Sequence, residues 1–256
     1  MVTVGNLSFR KRPLGRAADG GRPVSVLLGM LLLVLLVVIS SASLAGALEG
    51  RWIEVEGTSN FRDMGGWAAG VGTVKNGVLF RSDDLSDISA GGVDDLRKLG
   101  IRTIVDLRAG SGDLSRIEGL FDGKVTVVRL PMHVDPLNDK NDYYKRMVVN
   151  SRESLIGLLV LLSDKQNLPA VIFDEDGINE VDVAAQFILL TLGVKGPDVV
   201  SDYLLSNERG GSLKREWGEI IVRYFEEYGG TDYYTTKILG LSSDQIGRIR
   251  ENLIIQ

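Results

Sequence analysis

The chain has 256 residues, with 29 Lys or Arg, 34 Asp or Glu and one His, for a net charge of −5 at neutral pH. A composition of 44% hydrophobic and 25% charged residues is typical of globular proteins and excludes collagen-like, low-complexity and wholly disordered chains. The absence of cysteine excludes disulfides, zinc–thiolate and iron–sulfur centres and cysteine nucleophiles, and the single histidine argues against a Ser-His-Asp triad.

The charge is distributed unevenly along the chain. Residues 1–51 contain six basic and two acidic residues, so residues 52–256 carry a net charge of −9. An acidic domain of this kind repels the phosphates of nucleic acids. We therefore expect no nucleic-acid partner.

Residues 23–48 carry no charged side chain and are mostly aliphatic. About 20 apolar residues span a bilayer, so this segment is predicted to be a transmembrane signal anchor. Residues 1–22 are basic and are expected to stay in the cytoplasm, which places a globular domain at residues 50–256 outside it. A cleavable signal peptide is the alternative, with Ala47 at the cleavage site and a secreted domain as the product. A buried core helix is the third possibility.

The globular part alternates short apolar runs with amphipathic segments. Strands are predicted at residues 78–80, 103–107, 124–130 and 170–173, and residues 81–84 are predicted to form a turn. Helices are predicted at residues 89–99, 143–162 (as one helix or two), 181–192, 197–207, 212–228, 231–239 and 242–254. This order predicts one α/β domain with a small, mainly parallel central sheet flanked by helices.

A polar loop follows the last predicted strand. It contains Gly177 and leads directly into an apolar helix. Ligands of α/β folds bind at the carboxyl ends of the strands. A glycine-containing loop before a helix N-terminus also suits phosphate, because backbone N–H groups point at the anion.

Several blocks occur in a fixed order along the chain: NFRDMGG at 60–66, LFRS at 79–82, LGIRTIVDLR at 99–108, LGV at 192–194 and DYLLSN at 202–207. Together they resemble the protein-tyrosine-phosphatase-like family of microbial tyrosine, serine and phosphoinositide phosphatases. The resemblance covers about residues 57–207. It implies a tyrosine-phosphatase fold with a phosphate loop after the strand at 170–173.

The phosphate loop of that family reads HC-x-x-G-K-D-R-T-G, and this chain departs from it. With Gly177 as the anchor, Phe173 falls at the histidine, Asp174 at the nucleophilic cysteine and Glu180 at the phosphate-binding arginine. Five acids lie within nine residues of this loop: Asp174, Glu175, Asp176, Glu180 and Asp182. Two unit charges 4 Å apart repel by about 4 kcal/mol at an effective dielectric constant of 20. Because the chain has no cysteine, thiol chemistry is excluded. Because the loop acids repel anions, phosphate binding is disfavoured.

Three hypotheses remain for the loop. We favour a pseudophosphatase with a binding or structural role and no cofactor. Its expected partners are an unidentified protein and the membrane, which the N-terminal helix contacts. The loop could alternatively bind Mg²⁺ or Ca²⁺ through Asp174, Asp176, Asn179, Glu180 and Asp182, because these cations prefer oxygen ligands. The third hypothesis is a Mg²⁺-dependent phosphatase, because the run VIFDEDG also resembles the first motif of haloacid-dehalogenase-type phosphatases. That resemblance implies Asp174 as the nucleophile and Asp176 as the acid/base.

The resemblance to the tyrosine-phosphatase-like family implies further site residues. Arg62, Asp63, Gly177 and Arg108 are predicted to bind a ligand. Asp106 is either a general acid above the site or a strand-end acid paired with Arg108 or Arg62. No working catalytic residue is expected, so Asp174, Asp176, Glu180 and Asp106 are vestigial or alternative positions. The single His133 is interpreted as a loop residue rather than a catalyst.

Overall fold

A computed structural model describes Met30, residues 51–110 and residues 114–256. Apart from Met30, the predicted segments 1–22 and 23–48 lie outside the described residues. No helix within the described part of the chain is both long and apolar enough to cross a bilayer. The globular part belongs to one compact unit, Ala47–Gln256.

The strands form two sheets within the described residues. They are β1 (Arg62–Asp63), β2 (Ala68–Ala69), β3 (Gly72–Val74), β4 (Leu79–Ser82), β5 (Thr103–Asp106), β6 (Thr126–Arg129), β7 (Ala170–Phe173) and β8 (Ile254–Ile255). The central sheet has the order β1-β4-β7-β5-β6. Strands β4, β7, β5 and β6 run parallel, and β1 is antiparallel to β4. The predicted α/β class is confirmed, and the sheet is mixed because of its antiparallel edge strand.

Helices cover the sheet and form the rest of the domain. They are α1 (Ala90–Lys98), α2 (Ser115–Leu120), α3 (Lys140–Asn150), α4 (Arg152–Leu162), α5 (Asn179–Thr191), α6 (Gly196–Leu204), α7 (Arg215–Glu227), α8 (Thr231–Tyr233) and α9 (Ser243–Leu253). Short 3₁₀ turns at Lys165–Asn167 and Leu205–Arg209 and a π-helical turn at Tyr234–Ile238 complete the chain.

The central strands have apolar side chains on both faces. Ile104 of β5 and Val171 of β7 belong to one hydrophobic cluster, whereas Val105 and Ile172 belong to another on the opposite face. Side chains alternate between the two faces of a strand, and helices cover both faces of a parallel sheet. Strand β7 is therefore buried throughout, and its carboxyl end opens into the polar loop.

Some local predictions need correction. The predicted turn at residues 81–84 is wrong at its start, because Arg81 and Ser82 are buried parts of strand β4. The region 143–162, predicted as one helix or two, consists of two helices that meet at Ser151, so the second alternative is confirmed. Helix α1 begins after Ser89, whose side chain accepts a bond from the Gly92 amide, and ends before Gly100 as predicted. The small sheet β2-β3-β8 was not predicted.

Candidate functional site

The polar loop connects the carboxyl end of β7 to the N-terminus of α5. Strand β7 lies between β4 and β5, so the loop lies near the centre of the edge formed by the carboxyl ends of the parallel strands. Gly177 has a φ of +72°, which L side chains rarely adopt. A Cβ atom at this position would also lie 2.6 Å from the side-chain amide nitrogen of Asn60. Both observations explain why this position requires glycine.

Asp174 is fully buried at the centre of the loop. Its Oδ1 accepts a short bond from the Gly177 amide, and its Oδ2 accepts a bond of 2.9 Å from the Val181 amide in the first turn of α5. Burial raises the pKa of Asp174 to about 6, although the Val181 amide bond acts in the opposite direction. The N–H groups that converge in the loop therefore bind the carboxylate of Asp174, where a bound ligand anion could otherwise accept their hydrogen bonds.

Two side chains hold the loop from the sheet side. The Asn60 amide donates to the carbonyl oxygens of Gly177 at 3.1 Å and Asp176 at 3.3 Å. The Arg81 guanidinium donates to the same Gly177 carbonyl at 2.8 Å. The NFRD and LFRS blocks of the sequence thus meet at the loop and fix its backbone.

Arg81 and Arg62 belong to a buried ionic network beneath the loop. Arg81 forms a short ion pair with Asp182 of α5, and a second ion pair of 3.3 Å with Asp202 of α6. Burial would lower the pKa of Arg81, but Asp182 and Asp202 raise it above its usual value. Burial raises the pKa of Asp182 to about 7 against the effect of the two arginines. The network ties both helices to strand β4.

The predicted ligand-binding residues are engaged in bonds within the protein. Arg62 is fully buried and donates to Asn60 Oδ1 at 2.5 Å and to Ser206 Oγ at 3.0 Å. Burial, followed by the charge of Arg81, lowers the pKa of Arg62 to about 9. Asp63 accepts bonds from the amides of residues 65 and 77. A ligand would have to replace these bonds, so a ligand-binding role for either residue stays a prediction.

Asp106 lies at the end of β5 and is fully buried. Arg108 donates to both of its carboxylate oxygens, at 2.9 and 3.0 Å, and Arg129 lies 3.5 Å away. Arg108 also pairs with Asp84 at 3.0 Å. This is the predicted strand-end pairing, and it leaves the Asp106 carboxylate bonded to cations rather than directed as an acid toward a ligand.

The remaining loop acids face solvent or a cleft. Glu175 and Asp176 are exposed, and Glu180 is half-buried. Burial, and then the charge of Asp174, raises the pKa of Glu180 to about 8. A carboxyl group with so high a pKa is mostly protonated at neutral pH, whereas a glutamate with an ordinary pKa is almost wholly ionised.

The predicted cation ligands are not gathered into one centre. Asp174 is bonded to backbone amides, and Asp182 is paired with Arg81. Asp176 accepts a bond from the Ile178 amide. Over residues 51–110 and 114–256, no three acidic or histidine side chains are arranged to hold a metal ion. Asp176, Asn179 and Glu180 line one cleft, so a cation site at these residues stays a prediction.

A cleft of about 440 Å³ opens beside the loop. One wall is acidic and comes from the loop and the first turn of α5. The other wall comes from the segment before α3 and from α3 itself. The residues that line the cleft are His133, Val134, Pro136, Leu137, Lys140, Tyr143, Glu175, Asp176, Asn179 and Glu180. The exposed His133 therefore stands at the edge of the candidate site, where its Nε2 lies 3.4 Å from Asp135.

The sequence profile of the tyrosine phosphatase family matches residues 53–255, which include this loop and the whole sheet. The chain belongs to the tyrosine phosphatase family. The resemblance drawn from the sequence blocks is thereby confirmed.

Individual tyrosine phosphatases and phosphatase structures are also similar to the chain. A protein of Cupriavidus necator with the provisional name tyrosine-protein phosphatase is 28% identical over 198 residues, which cover 70% of this chain and 71% of that protein. The core catalytic domain of the PP-IP phosphatase SIW14 from S. cerevisiae is 12% identical over 64% of this chain and 90% of its own, with a TM-score of 0.44. TpbA from P. aeruginosa is 18% identical over 73% of this chain and 95% of its own, with a TM-score of 0.34.

Sequence reasoning missed two residues that organise this tyrosine phosphatase family site. Arg81 and Asp202 lie within quoted sequence blocks but received no role. A sequence signal does exist at Arg81, because a guanidinium next to the apolar residues of a strand is expected to need a buried partner. Its partners lie 101 and 121 residues away, so the sequence did not identify them.

Proposed function

We propose that the domain is a pseudophosphatase that acts by binding and does no phosphate chemistry. The observation that carries this proposal is that the loop amides already hold the carboxylate of Asp174. The sequence motif, anchored on Gly177, aligns this residue with the nucleophilic cysteine of the family. A phosphate dianion would have to displace the Asp174 carboxylate. It would also meet Glu180 where the family places an arginine fork.

The alternative, a Mg²⁺-dependent phosphatase with Asp174 as the nucleophile, has less support. An attacking carboxylate oxygen needs a free lone pair directed at phosphorus, and a second oxygen usually binds the metal. Both oxygens of Asp174 accept backbone bonds, and the side chain has no exposed surface. Such an enzyme would have to rearrange the loop before each turnover.

Hydrolysis of a generic aryl phosphate by the purified full-length chain tests this proposal. The assay is run with and without Mg²⁺, beside Asp174→Asn, which keeps the shape of the side chain and removes its charge. We expect no release of the phenol above the buffer rate under any of these conditions. Mg²⁺-dependent turnover that disappears in Asp174→Asn would overturn the proposal and establish the aspartate-based enzyme.

We further propose that the domain is tethered to the membrane and faces away from the cytoplasm. The support is the charge-free apolar segment 23–48 with basic residues before it. Because the chain has no cysteine, single cysteines can report topology without a background signal. A membrane-impermeant maleimide should label exposed Asp244→Cys in intact cells, and should label Ser8→Cys only after permeabilisation. The reverse pattern would contradict the orientation.

A further inference from the structure

A second cleft, of about 230 Å³, opens at the end of the central sheet away from the loop. Three of its lining residues come directly before parallel strands: Val78 before β4, Arg102 before β5 and Pro169 before β7. The loop follows the carboxyl end of β7, so this cleft lies at the opposite, amino-terminal edge of the sheet. The other residues that line it are Lys75, Lys165, Leu168 and Asn252. The cleft is therefore separate from the site described above.

The charged side chains on this cleft are all positive. Its lining includes Lys75, Arg102 and Lys165 and, among the described residues, no acid. By contrast, the cleft beside the loop, the groove between α6 and α7 and two clefts beside α9 each have an aspartate or glutamate on their walls. The globular part carries a net charge of −9, so a basic cleft departs from the average of the domain. An anion is attracted here and repelled by most of the remaining surface.

Two of the three cations have no partner, and the third is held in place. Arg102 and Lys165 are exposed and form no ion pair or side-chain hydrogen bond with any described residue. The half-buried Lys75 donates to the carbonyl oxygens of Glu251 at 2.7 Å and Asn252 at 3.0 Å, at the end of α9. An ammonium has three N–H bonds, so one of them remains for a ligand. The cleft thus offers donors that the protein itself does not use.

The same side of the sheet offers apolar surface and an unpaired hydroxyl. Leu168 is buried in the large hydrophobic cluster, and the half-buried Val78 packs against it. Thr103 begins β5 and shares a sheet face with Val105 of that cluster, because side chains alternate along a strand. The Thr103 hydroxyl is buried and has no hydrogen-bond partner among the described residues. A buried polar group without a protein partner is a sign of a missing water or ligand.

We propose that this cleft binds a small organic acid, with a carboxylate head on an apolar body. The three cations would surround the head, and the Arg102 guanidinium can donate two parallel bonds to a carboxylate. Val78, Leu168 and Pro169 would contact the body. Sites for drug-sized ligands have volumes of about 300–1,000 Å³, so this smaller cleft suits a body of one ring or a short aliphatic chain. The proposal goes beyond the pseudophosphatase role and does not depend on it.

The charges favour a singly charged organic anion over other ligands. Each additional negative charge on a ligand is repelled by the acidic domain, which disfavours a phosphate dianion. Inorganic phosphate also has no apolar body to contact the wall of the cleft. A metal ion finds no carboxylate among the described lining residues. A nucleic acid would extend past the three cations onto the acidic surface.

Fluorine NMR of 4-fluorobenzoate with the full-length chain, in a non-ionic detergent, tests the proposal. We expect saturable line broadening that weakens with added salt, because the cations are partly exposed. Uncharged 4-fluorobenzamide should show no saturable broadening beyond that caused by empty micelles. Arg102→Gln/Lys165→Gln should bind the benzoate about tenfold more weakly. The matched control Lys237→Gln/Arg248→Gln removes the same charge at exposed positions outside the cleft and should bind like the wild type.

Four results would overturn the proposal. They are no saturable broadening by the wild type, equal binding of the benzamide, wild-type binding by the cleft variant, and an equal loss in the control variant. Cooperative thermal unfolding of both double variants shows that a loss of binding is not misfolding. Turnover of an aryl phosphate would overturn the proposed function and leave this cleft unaffected. Absence of benzoate binding would overturn only the organic-acid site.

Discussion

Asp174 and Glu180 set the chemistry of the loop. The amides of Gly177 and Val181 converge on the carboxylate of Asp174. Burial makes both carboxylates more basic, raising the pKa of Asp174 to about 6 and that of Glu180 to about 8. Each ionised acid therefore costs the folded state free energy at neutral pH, as expected of a site kept for binding rather than for stability.

The raised pKa of Glu180 predicts the sign of a pH effect. A glutamate in the unfolded chain has a pKa of about 4.3, so the folded state binds this proton more tightly. The contribution of Glu180 to stability therefore falls as pH rises from about 4 to about 8.

Glu180→Gln removes this ionisation. We expect the variant to be more stable than the wild type by about 1–3 kcal/mol above pH 8, with a difference that shrinks toward pH 5. Urea unfolding at a series of pH values measures the difference. The exposed Glu226→Gln serves as the control and should show no comparable pH-dependent gain. A Glu180→Gln variant that loses stability at high pH would contradict the assignment.

At the scale of elements, the buried ion pairs join strand β4 to helices α5 and α6. Arg81 is the shared cation, with Asp182 on one helix and Asp202 on the other. It also donates to the loop carbonyl at Gly177. A buried charge that loses its main partner is costly, because it remains desolvated without the full compensation of an ion pair. Loop geometry and helix packing therefore depend on one guanidinium.

Arg81→Met removes the charge and keeps an unbranched chain in place of the aliphatic stem. We expect the free energy of unfolding to fall by about 3–5 kcal/mol, because two buried carboxylates lose their main cation. The matched control is Arg223→Met on α7, whose pair with Glu219 is exposed and contributes about 0–1 kcal/mol. Both values come from urea unfolding at neutral pH. A loss no larger for Arg81→Met than for Arg223→Met would show that the network is not stabilising.

At the scale of the whole molecule, the features predicted from the sequence were those with a local pattern. Strand β7 and the glycine loop follow from four apolar residues and a run of polar ones, and helix α1 from its cap and its terminal glycine. Strands β1, β2 and β8 have only two residues each, too few for a visible alternation. Their pairing is set by the rest of the fold, so the mixed sheet and the second sheet appear only in three dimensions.

The candidate site divides in the same way. The loss of the cysteine and the acidic nature of the loop could be predicted, because they depend only on residue identity. The direction of the Asp174 carboxylate could not, because it depends on the backbone conformation of the loop, which residue identity alone does not fix. The position of Lys140 over Trp217 could not, because those two residues are remote in sequence. Of the five residues predicted as one possible cation centre, Asp174 is bonded to backbone amides and Asp182 to Arg81, which the sequence did not indicate.

Binding of inorganic phosphate tests most directly whether Asp174 and Glu180 prevent anions from binding to the loop. Phosphorus NMR line broadening is measured for the full-length wild type and for Asp174→Ser/Glu180→Arg, which removes the internal carboxylate and returns a guanidinium. The account predicts no saturable binding by the wild type and saturable binding by the double variant. Saturable binding by the wild type, or none by a folded double variant, would contradict it.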